Sequence, residues 1–289
     1  MSRTRLALAA LALVALIAAL TACGDDDGGS DAAATNGTTA PACARGDQPT
    51  IEPGVLTVGT DKPAFPPYFV DDDPTNGKGF ESAVAYAIGE RLGFASEDVT
   101  WVTVPFNSSY APGPKRFDFD INQISITPKR QEQVDFSAPY YTTPQAVLVP
   151  AGSPYAGATG VADLKDATFG VQVGTTSLDA LESVIDPSQQ PQVFNDSNDT
   201  VRALKSEAVD AIVVDLPTAI YLRDVEVEGS EVVGQFAAPG GDDWGVVLAK
   251  GSELTPCVDR AIGDLTESGD LAAITEEWIG AEAPVLALE

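Results

Sequence analysis

The stretch Phe117–Tyr141, FDFDINQISITPKRQEQVDFSAPYY, decides how the rest of the chain is read. It begins as an alternation. Phe117, Phe119 and Ile121 face one way and Asp118, Asp120 and Asn122 the other, the period of a strand. A polar turn, Ser125-Ile126-Thr127, follows, and Pro128 marks a helical entrance with Arg130 just inside it. Strand end, small hydroxyls and a lone guanidinium form a layout suited to catching a carboxylate. Ser and Thr supply hydroxyls and free backbone N–H groups, and Arg supplies a planar two-pronged donor. The plain alternative for Arg130 is a surface ion pair with the neighbouring Glu132.

Outward from this stretch, strands alternate with helices. The pattern predicts strands at Val55–Gly59, Trp101–Val104, Phe117–Ile124, Ala146–Val149, Thr168–Val173, Gln192–Phe194, Asp210–Val214, Val232–Phe236 and Gly245–Ala249. It predicts helices at Glu81–Leu92, Thr176–Val184, Asp199–Ser206, Pro217–Arg223, Leu254–Thr266 and Leu271–Trp278. Such alternation implies an α/β fold with largely parallel sheets.

With 289 residues the chain can fill more than one core. Its 16 basic against 43 acidic residues argue against nucleic-acid binding, which needs a positive face. The acidity suits solubility and a monomeric state. The chain has no histidine, which removes His-based triads, His zinc sites and the commonest general base. No metal site and no cofactor is expected.

The N-terminus reads as a targeting segment. Arg3 and Arg5 precede the apolar run Leu6–Leu20, which is short for a membrane span of about 20 residues. Leu20-Thr21-Ala22-Cys23 resembles a lipobox, the cleavage site before a lipid-bearing cysteine. Residues 1–22 are therefore expected to be a lipoprotein signal peptide and Cys23 its lipid attachment point, with the body held outside the cytoplasm. Residues 23–50, rich in Gly, Asp, Ala and Thr, read as a flexible acidic tether. Cys43 and Cys257 remain in an oxidising compartment and are expected to form a disulfide; the alternative is two free thiols.

The Phe117–Tyr141 segment closely resembles the signature of the bacterial extracellular solute-binding proteins of family 3, the amino-acid receptors of ABC importers. The resemblance covers about Gly54 to Gly280. It implies a two-lobed, type II periplasmic-binding-protein-like fold, each lobe a mostly parallel sheet flanked by helices. Lobe 1 would comprise residues 51–142 and 243–289 and lobe 2 residues 146–238. Hinge crossings would fall near 142–145 and 239–243, the second within the Pro/Gly-rich AAPGGDD.

The resemblance also assigns roles. Arg130 would grip a ligand's α-carboxylate, Ser125 would touch both carboxylate and amine, and Gln123 would meet the amine through its backbone carbonyl. The turn Gly174-Thr175-Thr176 would bind the same carboxylate from the other lobe, although on the residues alone an ordinary helix N-cap is the stronger reading. Asp215 would pair with the ammonium, against the alternative of capping the next helix before Pro217. Phe65 would stack on the ligand and Phe106 would wall it, unless either is core. Asp61 and Gln172 would read a polar or cationic side chain.

Two departures from the family pattern stand out. Gly79-Phe80-Glu81-Ser82-Ala83-Val84 replaces a more acidic helix start, and FNSSYAPGPK at Phe106–Lys115 replaces a helical stretch. The expected function is capture of an amino acid for delivery to an ABC permease, without catalysis. Two alternatives stay open: a dehydratase-like enzyme on the same scaffold, and a sensory ligand-binding module.

Overall fold

The computed structural model describes Cys43, residues 48–280 and Ala287–Leu288. The expected signal peptide, Cys23 and most of the expected tether lie outside the described residues.

The chain opens with β1 (Leu56–Thr60), buried along its whole length. A strand covered on both faces shows no polar–apolar alternation in its burial, and in LTVGT the threonines Thr57 and Thr60 are buried beside Leu56 and Val58. Helix α1 (Phe80–Arg91) follows Gly79, where φ is +98° and a Cβ would run into the Tyr68 carbonyl. Next come β2 (Val99–Thr103), the short α2 (Phe106–Ser109), β3 (Phe119–Asp120), α3 (Pro128–Gln131) and β4 (Asp135–Phe136). The chain then passes through β5 (Tyr141–Thr142) to β6 (Gln145–Val149), β7 (Phe169–Gln172), α4 (Thr176–Ala180) and β8 (Gln192–Phe194). It continues through α5 (Ser197–Lys205), β9 (Ala211–Asp215), α6 (Leu216–Tyr221) and β10 (Glu231–Phe236). It returns by β11 (Asp243–Trp244) to β12 (Val247–Leu248), α7 (Thr255–Ser268) and α8 (Asp270–Trp278).

These strands form two five-stranded sheets, ordered β2-β1-β3-β12-β4 and β10-β6-β9-β7-β8, and a two-stranded ribbon, β11-β5. The sheets are mixed. β1 runs parallel to β2 and β3, and β7 runs parallel to β8 and β9. β12 and β6, the first sheet strands after the two crossings, run antiparallel to both their neighbours.

Most strand ends lie within one or two residues of expectation, and two strands change more than that. Only Phe119–Asp120 of Phe117–Ile124 pairs as a strand, because the Asp118 carboxylate accepts the Thr57 N–H and the Ile51 N–H, both at 2.7 Å. Phe117 consequently packs with Val104, Ile124, Val134 and Val247, away from Phe119 and Ile121. Gly245 interrupts Gly245–Ala249, leaving β11 and β12 on either side of it.

Phe119 and Ile121 join Leu56, Val58, Phe80, Val84, Ile88, Val258, Ile262 and Leu265 in the core between the first sheet and helices α1 and α7. The second sheet buries Val147, Phe169, Val171 and Val213 on one face and Leu148, Val201, Leu204 and Ile212 on the other. A disulfide joins Cys43 to Cys257 on α7, across a sequence separation of 214. Leu288 donates its N–H to Gln235 O at 2.8 Å, and Ala287 pairs with Gln235. These last described residues therefore lie along β10 of the second sheet, not with the first sheet as the 51–142 plus 243–289 grouping implies.

Candidate functional site

A cavity lies between the two sheets. Its lining includes Asp61, Phe65, Phe106, Gln123, Ser125, Arg130, Gln172, Thr175, Thr176 and Asp215, so every ligand residue expected from the sequence reaches one space. Asn122, Asp196, Ser197, Asn198, Thr200 and Thr218 complete most of its wall.

Arg130 enters from α3, whose start is fixed by Pro128 and by Thr127, whose Oγ1 accepts the Arg130 N–H at 3.3 Å. The side chain is only 7% exposed, and Glu132 does not pair with it. It donates from Nη1 to Ser125 O at 2.7 Å and from Nη2 to Gly174 O at 2.9 Å, reaching across the cavity. Burial pushes its pKa down, an effect opposed by Tyr110, Asp179 and Asp215. A guanidinium has five N–H donors, so two carbonyls leave others for a ligand.

The opposite wall begins at Gly174-Thr175-Thr176. Thr175 Oγ1 accepts the Leu178 N–H at 3.2 Å and donates to Gln172 O at 2.9 Å. The Thr175 hydroxyl is thus an N-cap. The Thr176 hydroxyl instead meets Ser125 Oγ at 3.0 Å, joining the two halves. Tyr68 Oη and Thr218 Oγ1 join them again at 2.8 Å.

Asp215 stands at the end of β9. Its side chain makes no capping bond to α6, although it precedes Pro217. It accepts from Gln145 Nε2 at 2.7 Å. Burial raises its pKa to about 7, Gln145 opposes the rise, and the nearby Asp242 adds to it. Gln145 is fully buried, accepts from Ser177 Oγ at 2.6 Å and lies 3.4 Å from Asp242 Oδ1. This amide therefore ties Asp215 to the second crossing.

Gln123 sits at φ +48°, a left-handed conformation that a non-glycine residue holds only when its surroundings enforce it. Glu81 enforces it, accepting the Gln123 N–H at 2.6 Å and a further bond from Gln123 Nε2. Tyr140 Oη donates to the same carboxylate. Glu81 is fully buried, and burial raises its pKa to about 7 against these three hydrogen bonds. With its amide committed to Glu81, Gln123 offers the cavity its main chain.

The far end of the cavity is acidic. Asp61 accepts the Lys62 N–H at 2.7 Å and the Phe106 N–H at 3.1 Å. Burial raises its pKa, and the charge of Asp196 on the opposite wall raises it further. Gln172 Oε1 accepts from Ser197 Oγ at 2.6 Å. Arg130 is the only Lys or Arg among the lining residues. Phe65 packs against the apolar cluster of Leu148, Val201, Leu204, Ile212 and Leu222 in the second half, while Phe106 sits edge-on to Tyr110 at 5.5 Å. Both aromatics are therefore part core and part wall.

A family model described as "Bacterial extracellular solute-binding proteins, family 3" matches residues 56–281. The chain belongs to that family. The L-cystine-binding protein TcyJ of Escherichia coli K12 is 30% identical over 234 residues, 80% of this chain and 85% of that protein. A solved ancestral arginine-binding protein bound to glutamine is 31% identical, with a TM-score of 0.67, covering 80% of this chain and all of the other. An ancestral amino-acid-binding protein, a precursor of cyclohexadienyl dehydratase, is 29% identical with a TM-score of 0.65, covering 78% of this chain and 95% of the other.

Within this family 3 fold, sequence reading missed Asp196, Glu81 as a support, Gln145 and Tyr110. Asp196 had a signal: its Oδ1 accepts the Asp199 N–H at 2.9 Å, a capping pattern visible as D-x-x-D. Placing the helix start at Asp199 rather than Ser197 hid it. Gln145 had none, because a glutamine at the start of an apolar strand does not announce a buried network.

Proposed function

We propose that this family 3 protein captures a free amino acid with a polar or cationic side chain in the cavity between its sheets and delivers it to an ABC importer. Residues 51–142 with 243–280, and 146–238, act as the two lobes, with hinges at the β5–β6 and β10–β11 crossings. The observation that carries the reading is the charge layout. Arg130 from one half and Asp215 from the other face one cavity, as a zwitterion requires. Each half alone satisfies only one ligand charge, so a bound amino acid favours closure. Asp61 and Asp196, with Gln172 and Ser197 between them, suit a side chain that donates hydrogen bonds or carries positive charge.

The mature protein is held at the outer face of the cell membrane by lipid on Cys23 and acts as a monomer. The Arg130 N–H groups and the turn at Thr176 take the α-carboxylate, while Asp215 and the Gln123 carbonyl take the ammonium. The test is thermal shift of the protein against the twenty amino acids. A ligand at 100 times its dissociation constant adds about 2.7 kcal/mol of stability. Arg130→Ala should remove the shift while the ligand-free melt persists; no shift with any amino acid sinks the reading.

A dehydratase on the same scaffold is the second reading, favoured by the dehydratase-precursor neighbour and by the carboxyls of Asp215 and Glu81, both poised near 7 at or beside the cavity. An enzyme would return its ligand altered after incubation, and a binder returns it unchanged.

A further inference from the structure

The loop after α2 is where this sequence leaves the family pattern, and it places Tyr110 over Arg130. The guanidinium lies 4.5 Å from the Tyr110 ring centroid and 5.7 Å from that of Phe106. The Tyr110 hydroxyl stands 3.0 Å from Gly174 O, the carbonyl that already accepts from Arg130 Nη2. Its single proton is shared between that carbonyl and Asn107 Oδ1, while Asn107 Nδ2 points at Val173 O at 3.5 Å. Asn107, Tyr110 and Arg130, all from the first half, thus converge on two successive carbonyls of the second, Val173 O and Gly174 O. Gly174 is shaped for this approach. Its φ is +77°, and a Cβ there would collide with Asn107 Oδ1 and stand 2.8 Å from the Tyr110 oxygen.

We propose that Tyr110 is a positioning residue for ligand capture. It orients the Arg130 guanidinium for the ligand carboxylate and latches the closed cleft to the Gly174 carbonyl. The inference rests on the amino-acid reading above and adds what sets the residence time. A cation on an aromatic face is attracted to it, and more strongly where water is excluded, as around the buried Arg130. Stacking also removes rotamers from a long side chain before ligand arrives, which lowers the cost of binding. The hydroxyl acts differently, because its bond to Gly174 O exists only when the halves are together. A contact made only after closure slows departure and leaves the encounter untouched. If Tyr110 were only a packing partner for Phe106, removing its hydroxyl would change neither rate.

The full-length protein and its Tyr110→Phe and Tyr110→Ala variants are tested with the amino acid that gives the largest thermal shift, by stopped-flow fluorescence. Amide exchange of residues 172–178 is followed in the same proteins without ligand. Tyr110→Phe should speed dissociation about fivefold, the range of one net hydrogen bond, with association within about twofold. Tyr110→Ala, which also loses the stacking, should speed it about twentyfold. Exchange of 172–178 should rise in both variants. Unchanged dissociation in Tyr110→Phe overturns the proposal, even if its melting point falls. If none of the twenty amino acids binds the parent protein, the amino-acid reading fails, and exchange alone decides: unchanged protection of 172–178 then overturns the latch.

Discussion

If Asp215 takes the ligand ammonium as proposed, binding should release a proton. In the ligand-free protein its carboxyl is raised to about 7 by burial, with Gln145 and Arg130 lowering it and Asp242 raising it. Glu81 and the Tyr68 hydroxyl are electrostatically coupled to it. A ligand ammonium beside Asp215 favours the ionised form and returns its pKa toward the ordinary range near 4. The sign follows: affinity is full above about pH 7 and falls as protons compete below it. At pH 6 a group of pKa about 7 is roughly nine-tenths protonated, so binding should release about 0.9 proton and be about tenfold weaker than at pH 8. The ligand's own α-groups do not titrate in that window. Calorimetry in two buffers of different ionisation enthalpy, at pH 6 and pH 8, measures the release directly. Glu81→Gln should keep the release, whereas Asp215→Asn should abolish it along with most of the affinity. Binding at pH 6 with less than about 0.3 proton released would show that Asp215 does not meet the ligand ammonium.

Other consequences follow from single residues. Glu81 gains protons on folding, because its folded pKa of about 7 exceeds the ordinary 4.5. Its contribution is fully present below about pH 4.5 and is lost as pH rises through 7, a fall of about 3 kcal/mol. Urea titrations should show Glu81→Gln flattened by about that amount across the window, and an unchanged slope would count against the buried carboxyl. Removing the Cys43–Cys257 bridge by Cys257→Ser frees a loop spanning a sequence separation of 214, with a chain-entropy loss of about 5 kcal/mol at most. A change below about 1 kcal/mol in the denaturation midpoint energy would mean that the unfolded chain is already constrained there. Asp196→Asn should weaken a cationic ligand about tenfold more than a neutral one, measured by competition between arginine and glutamine; equal losses would remove Asp196 from side-chain selection.

The α/β class and the position of most elements were legible because the longer central strands, such as β6 and β9, are short, largely apolar runs, and each long helix ends at a small or polar stop. What escaped were places where a side chain replaces a ladder. Asp118 takes over the pairing of Ile51 and Thr57, shortening the strand that the alternation of Phe117, Phe119 and Ile121 implies. The two reversed strands, β6 and β12, were also unreadable, since direction depends on where the chain re-enters a sheet. Around the cavity, residues carrying their own chemistry, such as Arg130 and Asp215, could be chosen from type and context. Supports such as Glu81, Gln145 and Tyr110 could not, because their roles exist only through contacts distant in sequence. Thr175 illustrates the middle case: it lines the cavity, yet its hydroxyl is spent as a cap.

Ala287 and Leu288 lie along β10, in the half opposite to the one that α8 packs on. β10 is an outer strand of its sheet, and the Leu288 N–H meets Gln235 O along it at 2.8 Å. An outer strand is a template on which another chain can add itself. Residues 287–288 thus work as a selvedge, binding off one margin of the weave at the place where a neighbouring molecule would otherwise be stitched on.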